Sequence, residues 1–152
     1  MVSIFDVAAF ILSQLGPIPV MKLHKLAYYC QAWSLVWDEE PLFKERIEAW
    51  ANGPVVKELY EIHKGKFKLA LADLPGNPDV LNDEQRETVL VVLKDYGDKP
   101  SQWLSDLTHL EAPWREARIG LPNNERGNRE ITHLAMAEYY ESLGPEYAMS
   151  NE

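Results

Sequence analysis

The chain has 152 residues, 46% of them hydrophobic and 26% charged, and its 15 Lys and Arg against 24 Asp and Glu give a formal net charge of -9. That length suits one domain with a single core, and that apolar share excludes an intrinsically disordered chain. So acidic a chain would repel a phosphate backbone, which argues against direct nucleic-acid binding, and the single Cys30 excludes an intrachain disulfide or a thiolate metal cluster.

Ser3 followed by Asp6 is a helix start, because the serine oxygen accepts an early amide proton and the aspartate favours the positive end of the helix. The spacing predicts a first helix over 4–15, stopped by Gly16-Pro17-Ile18-Pro19. This apolar run is too short to cross a bilayer and lacks the basic flank and cleavage site of a secretory signal, so a cytoplasmic protein without a membrane segment is expected. Over 20–37, Leu23, Leu26, Cys30, Trp33 and Trp37 recur at steps of three and four and stack along one helical face. Ala27, Tyr28, Tyr29, Ala32, Leu35 and Val36 occupy the other sides, so this segment reads as a central, enclosed helix. Lys22 and Lys25 lie off the main stripe and are expected to tolerate substitution better than the core positions Leu23 and Trp33.

Between 39 and 56 the period changes to two, with Pro41-Leu42-Phe43 and then Ile47, Ala49 and Ala51, which predicts two short extended pieces. Asn52-Gly53-Pro54 is expected to end the second piece and to open a third helix with Pro54 at its first position and Gly65 at its end. Residues 66–82 read as a turn-rich surface crossing. A fourth helix capped by Asp83 runs to Gly97, a shorter one spans 101–108, and 113–118 adds a further turn. Residues 119–129 read as loop, and a last helix over 132–143 stops at Gly144-Pro145. Together these predict a mainly α, compact helical domain around a central buried helix, with a small two- or three-stranded β element.

No phosphate-binding glycine loop, zinc-helix motif or nucleophile elbow occurs, so neither cofactor nor metal is expected and the chain is not read as an enzyme. His24, His63, His109 and His133 fall on four separate segments without ligand spacing, and Cys30 sits on the apolar stripe, where a thiol behaves as a small hydrophobe. Arg115, Arg118, Arg126 and Arg129 alternate with Glu111, Glu116, Glu125 and Glu130, which favours local ion pairing over phosphate binding. Trp50 beside Gly53-Pro54 admits two readings of equal weight: core packing, or an aromatic held on a rigid turn as a protein-binding hot spot.

One pattern links several of these features. The run 21–33, MKLHKLAYYCQAW, is followed by Pro41-Leu42-Phe43, by Ile47-Glu48-Ala49-Trp50-Ala51-Asn52-Gly53-Pro54-Val55-Val56 and by Leu59-Tyr60. It resembles the Panacea antitoxin domain, also known from the SocA proteolytic adaptor and from phage-associated proteins called GepA, whose pattern reads K-L-x-K-L-x-Y, L-F and A-x-x-x-G-P-V with a following tyrosine. Leu107-Thr108-His109, Pro113-Trp114 and Tyr139-Tyr140 are similar to its weaker C-terminal features, so the resemblance extends over roughly residues 3–143.

The resemblance implies a single domain over 1–152 that acts as the antitoxin of a bacterial or prophage toxin–antitoxin pair. Its partner would be a cognate protein toxin encoded by an adjacent gene and neutralised by direct binding. The alternatives are an adaptor delivering the toxin to the ClpXP protease, or an enzyme whose site only the fold assembles. Tyr28, Gln31, Trp50, Gly53 and Pro54, in the densest part of the pattern, are the expected residues in or directly under the partner-binding surface.

Overall fold

The computed structural model describes residues 2–144. Helix α1 (Ile4–Leu15) opens with a reciprocal cap in which Ser3 Oγ accepts from the Asp6 amide and Asp6 accepts from the Ser3 amide, and it closes at Gly16 with φ 77°. After a two-residue strand β1 (Ile18–Pro19), helix α2 (Val20–Trp37) runs through the middle of the molecule. Every residue from Leu23 to Ser34 is buried. A helix buried around its whole circumference has no single apolar face, because α1, α4 (Asp83–Tyr96), α5 (Ser101–Leu110) and α7 (His133–Ser142) each cover part of it.

Strands β2 (Ile47–Trp50) and β3 (Gly53–Val55) form an antiparallel hairpin across the two-residue turn Ala51-Asn52, pairing Glu48 with Val55, Ala49 with Pro54 and Trp50 with Gly53. The structure therefore corrects the expected start of the third helix. Pro54 lies in β3, an edge strand that tolerates a missing amide proton, and α3 (Lys57–His63) begins three residues later. Strand β5 (Glu130–Ile131) completes a sheet of order β3-β2-β5, and β4 (Lys68–Leu69) pairs with β1 in a second, two-stranded sheet. The fold is mainly α with a minor β element, as expected.

Three local expectations are corrected. Pro41-Leu42-Phe43 forms no ladder beyond a bridge from Phe43 to Val2, because the Gln31 side chain takes the place of a strand. Gln31 Oε1 accepts from the Leu42 and Phe43 amides at 2.7 and 3.2 Å, and its Nε2 donates to the Phe43 carbonyl at 2.8 Å. Asn82, not Asp83, caps α4: its Oδ1 accepts from the Gln85 amide while Gln85 Oε1 accepts from the Asn82 amide, leaving Asp83 to complement the helix dipole. The turn-rich crossing contains β4 and two single-turn 3-10 segments, Leu71–Asp73 and Pro78–Val80. Pro145, the expected stop of α7, lies outside the described residues. Among the described residues no helix is long and apolar enough to cross a membrane.

Candidate functional site

The β2–β3 hairpin is held from behind by two side chains of the helix α6 (Ala112–Ala117) region. Trp114 Nε1 donates to the Trp50 carbonyl at 2.8 Å, and Arg118 Nη1 donates to the Ala49 carbonyl at 2.9 Å. Arg118 also donates to the carbonyls of Pro122, Glu125 and Arg126, tying the following loop to the hairpin. Arg115 and Arg129 likewise donate to the carbonyls of Leu110 and Ile119. The expected pairing of these arginines with neighbouring glutamates is thus replaced by carbonyl bonding: an irregular loop leaves backbone acceptors outside any ladder, and a guanidinium fork satisfies several at once.

Trp50 is 8% exposed, and its indole N–H donates to Glu48 at 2.8 Å. Its ring meets Tyr60 edge-on at 4.8 Å, and the exposed Arg126 guanidinium stacks over both rings, 4.3 Å from the Trp50 centroid and 5.2 Å from that of Tyr60. Arg126 Nη2 also donates to the Tyr60 hydroxyl at 3.2 Å. With Met21, Asn52 and Asn124, these three side chains line a cleft of about 320 Å³. A second cleft of about 410 Å³ shares Met21 and Asn52 with the first and is lined further by Lys25, Phe67 and the α5 residues Ser101, Ser105, Asp106 and His109.

Trp50, Gly53 and Pro54 therefore come together on the hairpin, whereas Tyr28 and Gln31 lie away from it and inside the protein. Tyr28 is 1% exposed and hydrogen-bonds the Tyr140 hydroxyl at 3.0 Å, and the fully buried Gln31 holds the 42–43 segment. The α2 residue that does reach the hairpin is Lys25. It is buried although it lies off the main stripe, because an enclosed helix has no solvent side for it. Gly53 makes room for it: at φ 128°, a Cβ there would sit 2.8 Å from Lys25 Cε. Burial pushes the Lys25 pKa down to about 8.

The fold also brings His24 and His63 together, which their sequence positions do not indicate. Their Nε2 atoms are 2.7 Å apart. The Val56 amide donates to His24 Nδ1 at 3.2 Å, so the His24 proton sits on Nε2 and is donated to His63 Nε2, which places the His63 proton on Nδ1, a buried atom without a hydrogen-bond partner among the described residues. No group of His, Cys, Asp or Glu that could hold a metal ion occurs among the described residues. Burial pushes the Cys30 thiol far up, in keeping with a packing role.

The histidine pair sets a pH dependence. Burial lowers the pKa of both residues in the folded protein, that of His24 well below the ordinary value. Above about pH 6.5 both are neutral in the folded and unfolded chains, so the pair adds no slope; below it the unfolded chain binds the extra protons and stability falls. Each proton contributes about 1.4 kcal/mol per pH unit until the folded-state pKa is reached. Urea unfolding at pH 7.5, 6.5 and 5.5 is expected to show this loss, and His63→Gln, which keeps an acceptor for His24, is expected to reduce the slope. Equal slopes for both proteins would contradict the assignment.

The side-chain set Lys25, Trp50, Gly53, Pro54 and Tyr60 joins the central helix, the hairpin and α3 in one unit, and Thr108, His109 and Trp114 back it from α5 and α6. A family model described as antitoxin SocA-like, Panacea domain, matches residues 23–115, which span this unit. Neither curated proteins nor solved structures yielded a match. With the family model covering more than half of the chain, the protein belongs to the SocA-like Panacea family of antitoxins.

Proposed function

We propose that this chain is the antitoxin of a toxin–antitoxin pair, that it acts as a single domain by binding and not by catalysis, and that it neutralises a cognate protein toxin encoded by an adjacent gene. The observation that carries the reading is the Trp50–Arg126–Tyr60 stack at the mouth of a cleft beside the hairpin. Trp, Tyr and Arg are the residues that dominate protein-binding hot spots, and a stack already ordered in the free protein loses little side-chain entropy when a partner covers it. The hairpin beneath is braced by Trp114 and Arg118, so the surface is presented on a rigid base. Burial gives Tyr28 and Gln31 a supporting role, with loss of either expected to act through folding.

Arg126→Ala and Tyr60→Ala are expected to melt close to the wild-type protein, because Arg126 is exposed and Tyr60 half-buried. Each is expected to weaken toxin binding by about 2 kcal/mol or more, roughly 30-fold, and to reduce growth rescue when the adjacent gene's product is co-expressed. If both variants fold and both rescue fully, the toxin docks elsewhere. Toxin half-life in cells with and without the ClpXP unfoldase separates sequestration, which leaves it unchanged, from delivery to the protease, which shortens it only where the unfoldase is present.

A further inference from the structure

The larger cleft has a composition that packing does not explain. Ser101, Ser105 and His109 lie at i, i+4 and i+8 on α5 and so share one face, which lines the cleft beside Lys25. Ser105 is committed, since its Oγ donates to the Asn52 carbonyl at 2.7 Å. Ser101 Oγ and His109 Nε2 are buried without a hydrogen-bond partner among the described residues. Lys25, 1% exposed, makes no hydrogen bond or ion pair with any of them.

Unpartnered buried polar atoms cost stability, and two of them beside the Lys25 ammonium on the wall of one cleft mark a place where a ligand completes the bonding. The His109 imidazole bonds the Ala51 carbonyl, so its proton is on Nδ1 and its free Nε2 is an acceptor. The cleft thus offers a cation and a hydroxyl donor to an anion, plus one acceptor to an N–H or O–H. Pro19, Val20, Met21 and Phe67, the last 74% exposed, supply an apolar wall. Asp106 also lines the cleft, and with a net charge of -9 on the chain a dianion such as a phosphate monoester is disfavoured.

We propose that this cleft binds an N-acylated amino acid with an apolar side chain, as a free small molecule or as the C-terminal residue of a peptide chain. The carboxylate engages Lys25 and Ser101, the amide N–H donates to His109 Nε2, and the side chain lies along Val20, Met21 and Phe67. Gly53 fits this reading, since any side chain there would displace the Lys25 stem.

Calorimetric titration of the full chain with four probes tests the proposal. N-acetylphenylalanine and the peptide Gly-Ser-Gly-Ser-Phe with a free C-terminus carry the shared chemistry, N-acetylphenylalanine amide lacks the carboxylate, and 3-phenylpropionate lacks the N–H. Saturable binding of at least one of the first two is expected, with a Kd on the order of 1 mM or tighter. Binding of the peptide identifies a chain end as a sufficient source, and binding of N-acetylphenylalanine alone identifies the small molecule. The amide is expected to be inert and 3-phenylpropionate to bind about tenfold more weakly.

Lys25→Met is expected to abolish binding while melting at or above the wild-type temperature, because an apolar side chain of similar length replaces an amine whose charge burial disfavours. His109→Phe, which keeps the stack on Trp114, supplies an independent readout: N-acetylphenylalanine should fall to the affinity of 3-phenylpropionate, with the latter unchanged. No binding by either of the first two probes, equal binding of the amide, or an unaltered preference in His109→Phe would overturn the proposal.

Discussion

Trp33→Asp is expected to abolish cooperative folding. Trp33 is fully buried in α2, its indole stacks on Trp37 at 5.0 Å and meets Tyr140 at 5.5 Å, and its N–H donates to the Tyr96 hydroxyl at 3.3 Å. Truncation of such a side chain alone costs about 3–5 kcal/mol through lost burial and the cavity left behind. Placing an unpaired carboxylate there adds several kcal/mol of desolvation, so the sum approaches the roughly 5–15 kcal/mol that holds an ordinary domain together. Leu23→Asp, at another fully buried position on the same helix, is expected to behave alike. Thermal melts followed by circular dichroism check this: either variant melting cooperatively near the wild-type temperature would mean that α2 does not occupy the core.

The second large effect concerns Glu111, a buried carboxylate between α5 and α6. Its Oε1 accepts from the hydroxyls of Tyr29 and Tyr140, each at 2.7 Å. Since the Tyr140 proton is spent on Glu111, Tyr28 is the donor in its 3.0 Å contact with Tyr140, and one carboxylate thus orients three tyrosines. Burial raises the Glu111 pKa while the two hydroxyl donors pull it down. The network pins α7 to α2, with Tyr29 stacked on Tyr96 of α4 at 4.3 Å. Glu111→Ala leaves one tyrosine hydroxyl buried without its acceptor and removes a second bond, for a loss of about 3 kcal/mol, or roughly 10 °C in Tm. Glu111→Gln, which retains an acceptor oxygen, should recover part of this. A double-mutant cycle with Tyr140→Phe should show a coupling of about 1 kcal/mol or more, and additivity would mean that the bond contributes nothing.

The residues of the two clefts differ in how they could be found. Trp50, Gly53 and Pro54 stand out in the sequence because an aromatic next to a Gly-Pro turn is locally unusual, and the structure places them on one hairpin. Arg126 and His109 carry no such signal. They reach the clefts through the carbonyl bonding of Arg118 and the register of α5, which are long-range features. Lys25 did carry a signal, as a cation in a helix apolar on nearly every side, but only the enclosure of α2 turns that anomaly into a buried amine.

The sequence by itself determined the elements whose signals are local: the caps and stops of α1, the length and centrality of α2 and the stop of α4 at Gly97 are set by groups within a turn of the backbone they satisfy. Tertiary structure alone decided what depends on groups brought together from afar. The pairing of β1 with β4 and of β2 with β5, the Gln31 side chain standing in for a strand, the His24–His63 contact and the burial of Lys25 each join residues that the intervening chain does not hold in place. Short strands of two residues have too few side chains to show a period, and a helix enclosed on all sides shows none that distinguishes its faces, so only packing could assign them.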